Sequence, residues 1–151
     1  MTASATPFSF VLETPAAPPE EARRHFLAKL SVETDPADVH LDLERGKKGF
    51  VVVDVRTKEA FAERHVPGAL NLPTRTLSAE TTAHLSKDDV IITYCWGPGC
   101  NGSTKAAARF AALGFRVKEM IGGIEYWVKE GHATEGTSPR GTPVYAHRGD
   151  T

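Results

Sequence analysis

The stretch Ile91-Ile92-Thr93-Tyr94-Cys95-Trp96-Gly97-Pro98-Gly99-Cys100-Asn101-Gly102-Ser103 decides how this chain is read. An apolar, β-branched run passes into a cysteine, then into a glycine-rich loop, then into the start of a helix. In open parallel sheets the strand C-termini feed loops and helix N-termini, and reactive groups gather at that edge. A cysteine placed there meets backbone N–H groups and the positive end of a helix dipole, which favour a thiolate and attract anions. The bland alternative is a small apolar residue closing a strand. Nothing in that alternative requires Gly97, Gly99 and Gly102, so the loop is expected to form a thiolate site.

Working outward, the chain alternates strands and helices. Phe50-Val51-Val52-Val53-Asp54-Val55 has the apolar β-branched character of a strand buried on both faces. Thr57 is placed to cap a short helix from Lys58 to Arg64 that buries Phe61. Ala69-Leu70-Asn71-Leu72 reads as a short strand stopped by Pro73, and Ser78 as the start of a helix through Leu85. Beyond the loop, Lys105 to Leu113 aligns Ala106, Phe110 and Leu113 on one face, with Gly114 as a stop. Phe115 to Met120 returns as a strand, Gly122-Gly123 turns, and Ile124 to Glu130 forms a last helix carrying Tyr126 and Trp127. Strands separated by helices need crossover connections. The expected fold is therefore α/β, an open and mostly parallel sheet with helices on both faces.

Two further segments flank this alternation. Residues 1–19 are rich in Ala, Pro, Thr and Ser and are expected to be an arm, made sticky by Phe8, Phe10, Val11 and Leu12. An extra helix over residues 20–34 places Phe26, Leu27 and Leu30 on one face. Asp35-Pro36 then caps and opens another helix, with Val39, Leu41 and Leu43 on it and Gly46 ending it. The central domain is expected over 35–132, and 133–151, rich in Gly, Thr, Ser and Pro, as an extended or disordered extension carrying Val144 and Tyr145.

The 151 residues suffice for one compact domain with a core that needs no disulfides. Lys and Arg total 18 against 19 Asp and Glu, a formal charge of -1 that offers no general attraction to nucleic acid or anionic membrane. No run approaches a membrane span, and the N-terminus lacks a basic signal region, so a soluble, cytoplasmic protein is expected. Cys95 and Cys100 share one loop and cannot build a disulfide framework; their use is chemical. Two cysteines without nearby histidines fall short of a metal site, and no cofactor is called for. The apolar arm leaves a homodimer open.

Five blocks resemble the successive signatures of the rhodanese-like domain: Asp54-Val55-Arg56, His65-Val66-Pro67-Gly68-Ala69-Leu70-Asn71-Leu72-Pro73, the strand and Cys95 loop, Leu113-Gly114-Phe115, and Gly122-Gly123-Ile124-Glu125-Tyr126-Trp127. The resemblance implies a sulfurtransferase. Cys95 would take a sulfane sulfur from thiosulfate or a persulfide and pass it, as its own persulfide, to a thiol or cyanide. The partners implied are a small sulfur-containing anion, a low-molecular-weight thiol or a protein thiol. The backbone amides from Trp96 through Gly97, Pro98, Gly99, Cys100, Asn101 and Gly102 to Ser103, proline excepted, would hold the anion and the persulfide. Asp54 and Arg56 are implied as a tether between strand ends and loops. His65 and Glu59 are expected to support turn and helix rather than to move protons. Trp127 and Tyr94 are expected in the core, and Trp96 either there or on the pocket wall.

The resemblance is incomplete at the loop. Rhodanese loops commonly read Cys-x-x-Gly-x-Arg, whereas here Cys95 to Gly102 is two residues longer and has no arginine. Lys105 and Arg75 are the candidate substitutes for that cation. Related dual-specificity phosphatases place an arginine six residues after the cysteine to grip phosphate. Asn101 stands there, which argues against a phosphatase. Cys100 adds another option, a resolving thiol that forms an intraloop disulfide with Cys95 as a redox switch or as a means of sulfur release. The rival to the enzyme is a non-catalytic binding or redox-sensing module using the Cys95/Cys100 loop.

Overall fold

The computed structural model describes residues 7–139 and divides into two compact units, residues 1–31 and 32–151. In the first, Phe8 and Phe10 meet edge to face at 5.1 Å, and helix α1 (Pro19–Val32) begins with Glu20 paired to Arg23 at 3.1 Å. The first six residues of the expected arm, together with Val144 and Tyr145, fall outside the described residues.

The second unit is the sheet domain. Its elements run β1 (Glu33–Thr34), α2 (Pro36–Glu44), β2 (Phe50–Asp54), α3 (Lys58–Glu63), β3 (Leu70–Asn71), β4 (Val90–Tyr94), α4 (Gly102–Ala112), β5 (Val117–Met120) and α5 (Gly123–Lys129). The five strands lie in the order β1-β5-β4-β2-β3, all parallel. β4 is central, with every residue from Ile91 to Tyr94 buried. Alternation along it shows both faces covered: the Thr93 hydroxyl donates to the Ser103 carbonyl on α4, while the Tyr94 hydroxyl accepts from the Val66 amide on the segment after α3. Trp127, Phe110, Ile124, Val53 and Val55 complete the core.

Local chemistry accounts for the helix starts. Asp35 accepts the Asp38 amide at 2.9 Å with Pro36 in the first helical position, and Thr57 accepts the Ala60 amide at 3.2 Å. The helix expected from Ser78 to Leu85 is instead a succession of turns. Its hydroxyls compete with the helix ladder: Thr81 donates to the Thr76 carbonyl at 2.7 Å, and Ser78 and Thr81 bond each other's backbone amides. A 3-10 turn at Thr74–Thr76 precedes them. The polar pair Glu33–Thr34, expected to end the first helix, forms the edge strand β1 on β5.

Part of the expected C-terminal extension is fixed in place. Residues 135–138 pair with α3 and its C-terminal turn: His65 and Glu135 exchange backbone hydrogen bonds at 2.9 Å, and the Thr137 and Ser138 amides donate to Ala62 and Glu63.

Candidate active site

β4 delivers Cys95 to the C-terminal edge of the sheet, where α4 begins seven residues later. Gly102, the first residue of α4, lies directly beneath the sulfur: a methyl group there would sit 2.9 Å from the Cys95 Sγ and 3.4 Å from the Cys100 Sγ. Both thiols therefore sit over the N-terminal turn of α4. From the other side the loop is held by α5. The Ile124 amide donates to the Cys95 carbonyl at 3.0 Å and the Glu125 amide to the Trp96 carbonyl at 2.9 Å. Gly123 makes this approach possible. Its φ is +60°, and a Cβ on it would lie 2.5 Å from the Cys95 carbonyl oxygen. The Gly-Gly doublet, read from sequence only as a turn, thus positions the nucleophile's backbone.

A cavity of about 550 Å³ opens over the sulfur. Cys95, Gly97, Pro98, Cys100, Asn101 and Ser103 line it from the loop; Trp96, Gly99 and Gly102 do not. Its other wall comes from β5, α5 and the start of α2 and brings three carboxylate residues, Asp35, Glu119 and Glu130. Glu119, not singled out from the sequence, accepts from the Ser103 hydroxyl at 3.3 Å and the Thr104 hydroxyl at 3.0 Å. Among the described residues no Lys or Arg lines the cavity; Lys105 and Arg75 are exposed and stand outside its lining. Among the described residues, no group of three or more His, Cys, Asp or Glu could hold a metal ion.

The surroundings of Cys95 act against a ready-made thiolate. A hydrogen bond with Cys100, burial, and the proximity of charge on Cys100 push the Cys95 thiol well above its ordinary value. The Trp96 amide acts in the opposite direction and is outweighed.

Asp54 and Arg56 form the expected tether, completely buried beside the site. The Arg56 Nη2 donates to Asp54 at 2.7 Å and to the Arg64 carbonyl, and its Nε donates to Asp54 at 3.0 Å. Burial opposes the guanidinium charge, but the Asp54 carboxylate outweighs it and holds Arg56 above its ordinary value. The guanidinium lies 4.5 Å from the ring of Trp96, which is buried in the core. Trp96 is thus a backing for the loop and not a pocket wall. His65 stacks on Phe61 at 3.7 Å and donates Nδ1–H to the Phe61 carbonyl at 2.7 Å, a support for α3 away from the cavity. Glu59 is exposed on the same helix. Trp127 is in the core and donates to the Ala133 carbonyl at 2.9 Å.

The parallel α/β sheet carries its cysteine loop at the end of the central strand, inside the segment that a family model matches. Residues 35–130 match the model of the rhodanese-like domain, and the chain belongs to that family. Among curated relatives it is 36% identical over 93 residues to the thiosulfate sulfurtransferase GlpE of Pseudomonas putida, covering 61% of this chain and 81% of that protein. It is also 34% identical over 100 residues to an HTH-type transcriptional regulator of Mycobacterium tuberculosis, covering 66% of this chain but only 44% of the regulator. Among solved structures, a Bacillus halodurans protein is 53% identical with a TM-score of 0.84, covering 88% of this chain and 98% of that one. The rhodanese-like domain of an Anabaena protein is 29% identical with a TM-score of 0.64, covering 74% and 84%. No helix among the described residues is long and apolar enough to cross a membrane.

Proposed function

We propose that this protein is a sulfurtransferase that carries a sulfane sulfur as a persulfide on Cys95, with an organic persulfide preferred to thiosulfate as donor. The observation that carries this reading is the cavity over the Cys95 and Cys100 thiols, seated at the start of α4 and walled by Asp35, Glu119 and Glu130, with no lysine or arginine among the described residues that line it. A thiosulfate dianion entering it would meet carboxylates and no side-chain cation. A persulfide, with one charge or none and an apolar or ammonium-bearing body, meets no such penalty. Relatives named thiosulfate sulfurtransferase support the sulfur chemistry itself.

The first step is a displacement at the outer sulfur of the donor. Cys95 gives up its proton through the hydrogen bond to Cys100 and attacks the outer sulfur of the donor. The donor's S–S bond breaks, the donor leaves as a thiolate, and the sulfane sulfur remains on Cys95. The first-turn amides of α4 favour the negative charge that develops there. An acceptor thiol or cyanide entering the same cavity removes the outer sulfur in a second displacement, giving ping-pong kinetics.

Sulfur transfer to cyanide, measured with a low-molecular-weight persulfide and with thiosulfate, tests this. The expected result is a higher kcat/KM for the persulfide and no turnover by Cys95→Ser. Equal or better use of thiosulfate would remove the donor preference, and turnover by Cys95→Ser would remove the mechanism. The likeness to the mycobacterial regulator, together with the thiol pair, supports a second reading as a sensing module. In that reading Cys95 takes up sulfur or oxidant without multiple turnover.

A further inference from the structure

The second thiol of the loop is not needed for transfer through Cys95, yet it is placed against it. Cys100 lies in hydrogen-bonding contact with Cys95, and a methyl group on Gly102 would stand 2.9 Å from the Cys95 Sγ and 3.4 Å from the Cys100 Sγ, so the two sulfurs share one small space. Cys100 also lines the cavity, so it faces the space that a sulfur bound to Cys95 would occupy. Cys95 itself is only 2% exposed and meets that same cavity, so both thiols face one shared space.

We propose that Cys100 resolves the Cys95 persulfide, releasing its outer sulfur as hydrosulfide and closing a Cys95–Cys100 disulfide, so that the protein reduces persulfides to sulfide. This rests on the reading of Cys95 as the persulfide carrier. In the step, the Cys100 thiol loses its proton to solvent and the resulting thiolate attacks the inner sulfur, the Cys95 Sγ. The Cys95 Sγ–Cys100 Sγ bond forms and the bond from Sγ to the outer sulfur breaks. The outer sulfur departs with the electron pair and the proton it already carries, as HS⁻. The sulfane sulfur is reduced to sulfide and the two cysteine thiols are oxidised to the disulfide. A dithiol reductant of the medium then returns both cysteines to thiols and is itself oxidised to its cyclic disulfide.

The geometry favours this branch over an external acceptor. The inner sulfur is the buried one, and the group that reaches it is Cys100, already in contact, whereas a diffusing thiol reaches the outer sulfur first. A neighbouring thiol acts at a high effective concentration, so internal resolution is expected to exceed attack by dilute external thiol by on the order of tenfold or more.

The test is a single-turnover experiment on the full chain. The reduced protein is treated with inorganic polysulfide and freed of excess donor. Intact mass, peptide mapping and released sulfide are then followed in the wild type and in Cys100→Ser and Cys100→Ala, two variants so that one poorly folded form does not decide the outcome. The wild type is expected to gain one sulfur transiently, then lose it while losing two hydrogens, with one sulfide released per disulfide mapped between Cys95 and Cys100. Both variants are expected to keep the added sulfur on Cys95 at least about tenfold longer. A stable Cys95 persulfide in the wild type, with neither disulfide nor sulfide, overturns the resolving role and leaves the sulfurtransferase reading standing. No sulfur adduct on Cys95 in any of the proteins overturns both.

Discussion

Two adjacent strands of this sheet end at the same height and are finished in opposite ways. β2 and β4 pair in register, Asp54 against Tyr94, and the Val55 amide continues the ladder to the Tyr94 carbonyl. At the end of β2, Asp54 and Arg56 are buried with their hydrogen bonds met by each other and by the backbone. At the end of β4, Cys95 and Cys100 share a hydrogen bond beside an open cavity, with the thiol of Cys95 held above its ordinary value. A charged pair whose polar groups are satisfied resists change, because removing either partner strands the other in the core. A thiol pair facing a cavity is left with chemistry to do. Two charges and two sulfurs one strand apart thus have different fates, decided by closure on one side and access on the other.

The sharpest way to break this contrast is to exchange the readouts. Cys95→Ser is expected to lower sulfur transfer by on the order of 10³-fold or more while leaving the thermal transition nearly unchanged. Arg56→Met is expected to do the reverse, costing about 3–5 kcal/mol of stability in denaturant titrations because Asp54 is left charged and buried. The molecules that remain folded should still form the persulfide. If Arg56→Met keeps full stability but loses transfer, the β2 end belongs to the chemistry and the contrast fails.

Smaller changes sharpen it. Gly123→Ala forces a side chain into φ +60° and against the Cys95 carbonyl, and is expected to cost about 2–4 kcal/mol and to slow Cys95 alkylation. Cys100→Ala removes the hydrogen bond and the neighbouring charge, two causes that raise the Cys95 thiol. With those gone the thiolate forms at lower pH, so the pH profile of alkylation should move to lower pH; a shift to higher pH would contradict the assigned cause. The smallest effect is expected from Lys105→Ala and Arg75→Ala. Neither residue lines the cavity, and sulfur-donor kinetics should stay within about twofold.

Much of this arrangement could be read from the chain. The β-branched runs of β2 and β4, the Asp35-Pro36 and Thr57 caps and the Cys95 loop carry their signals in adjacent residues, and all formed where expected. What could not be read depends on partners distant in sequence. Glu33–Thr34 is a strand only because β5 offers it an edge, and Glu119 reaches the cavity only because β5 lies beside β4. The turns of residues 78–85 turned on a balance between hydroxyls and the backbone that apolar periodicity does not register. The raised thiol of Cys95 is not legible in sequence, because the helix dipole is visible there whereas burial and the contact with Cys100 belong to the folded loop.

The central claim is that the end of β4 carries sulfur on Cys95. Its most direct test is peptide mapping of the protein by mass spectrometry after brief exposure to a low-molecular-weight persulfide, with and without a cyanide quench. The expected result is one added sulfur atom on the peptide containing Cys95, removed by cyanide as thiocyanate and absent from Cys95→Ser. An added sulfur found only on Cys100, or neither an added sulfur on Cys95 nor a Cys95–Cys100 disulfide before the quench, would contradict the account.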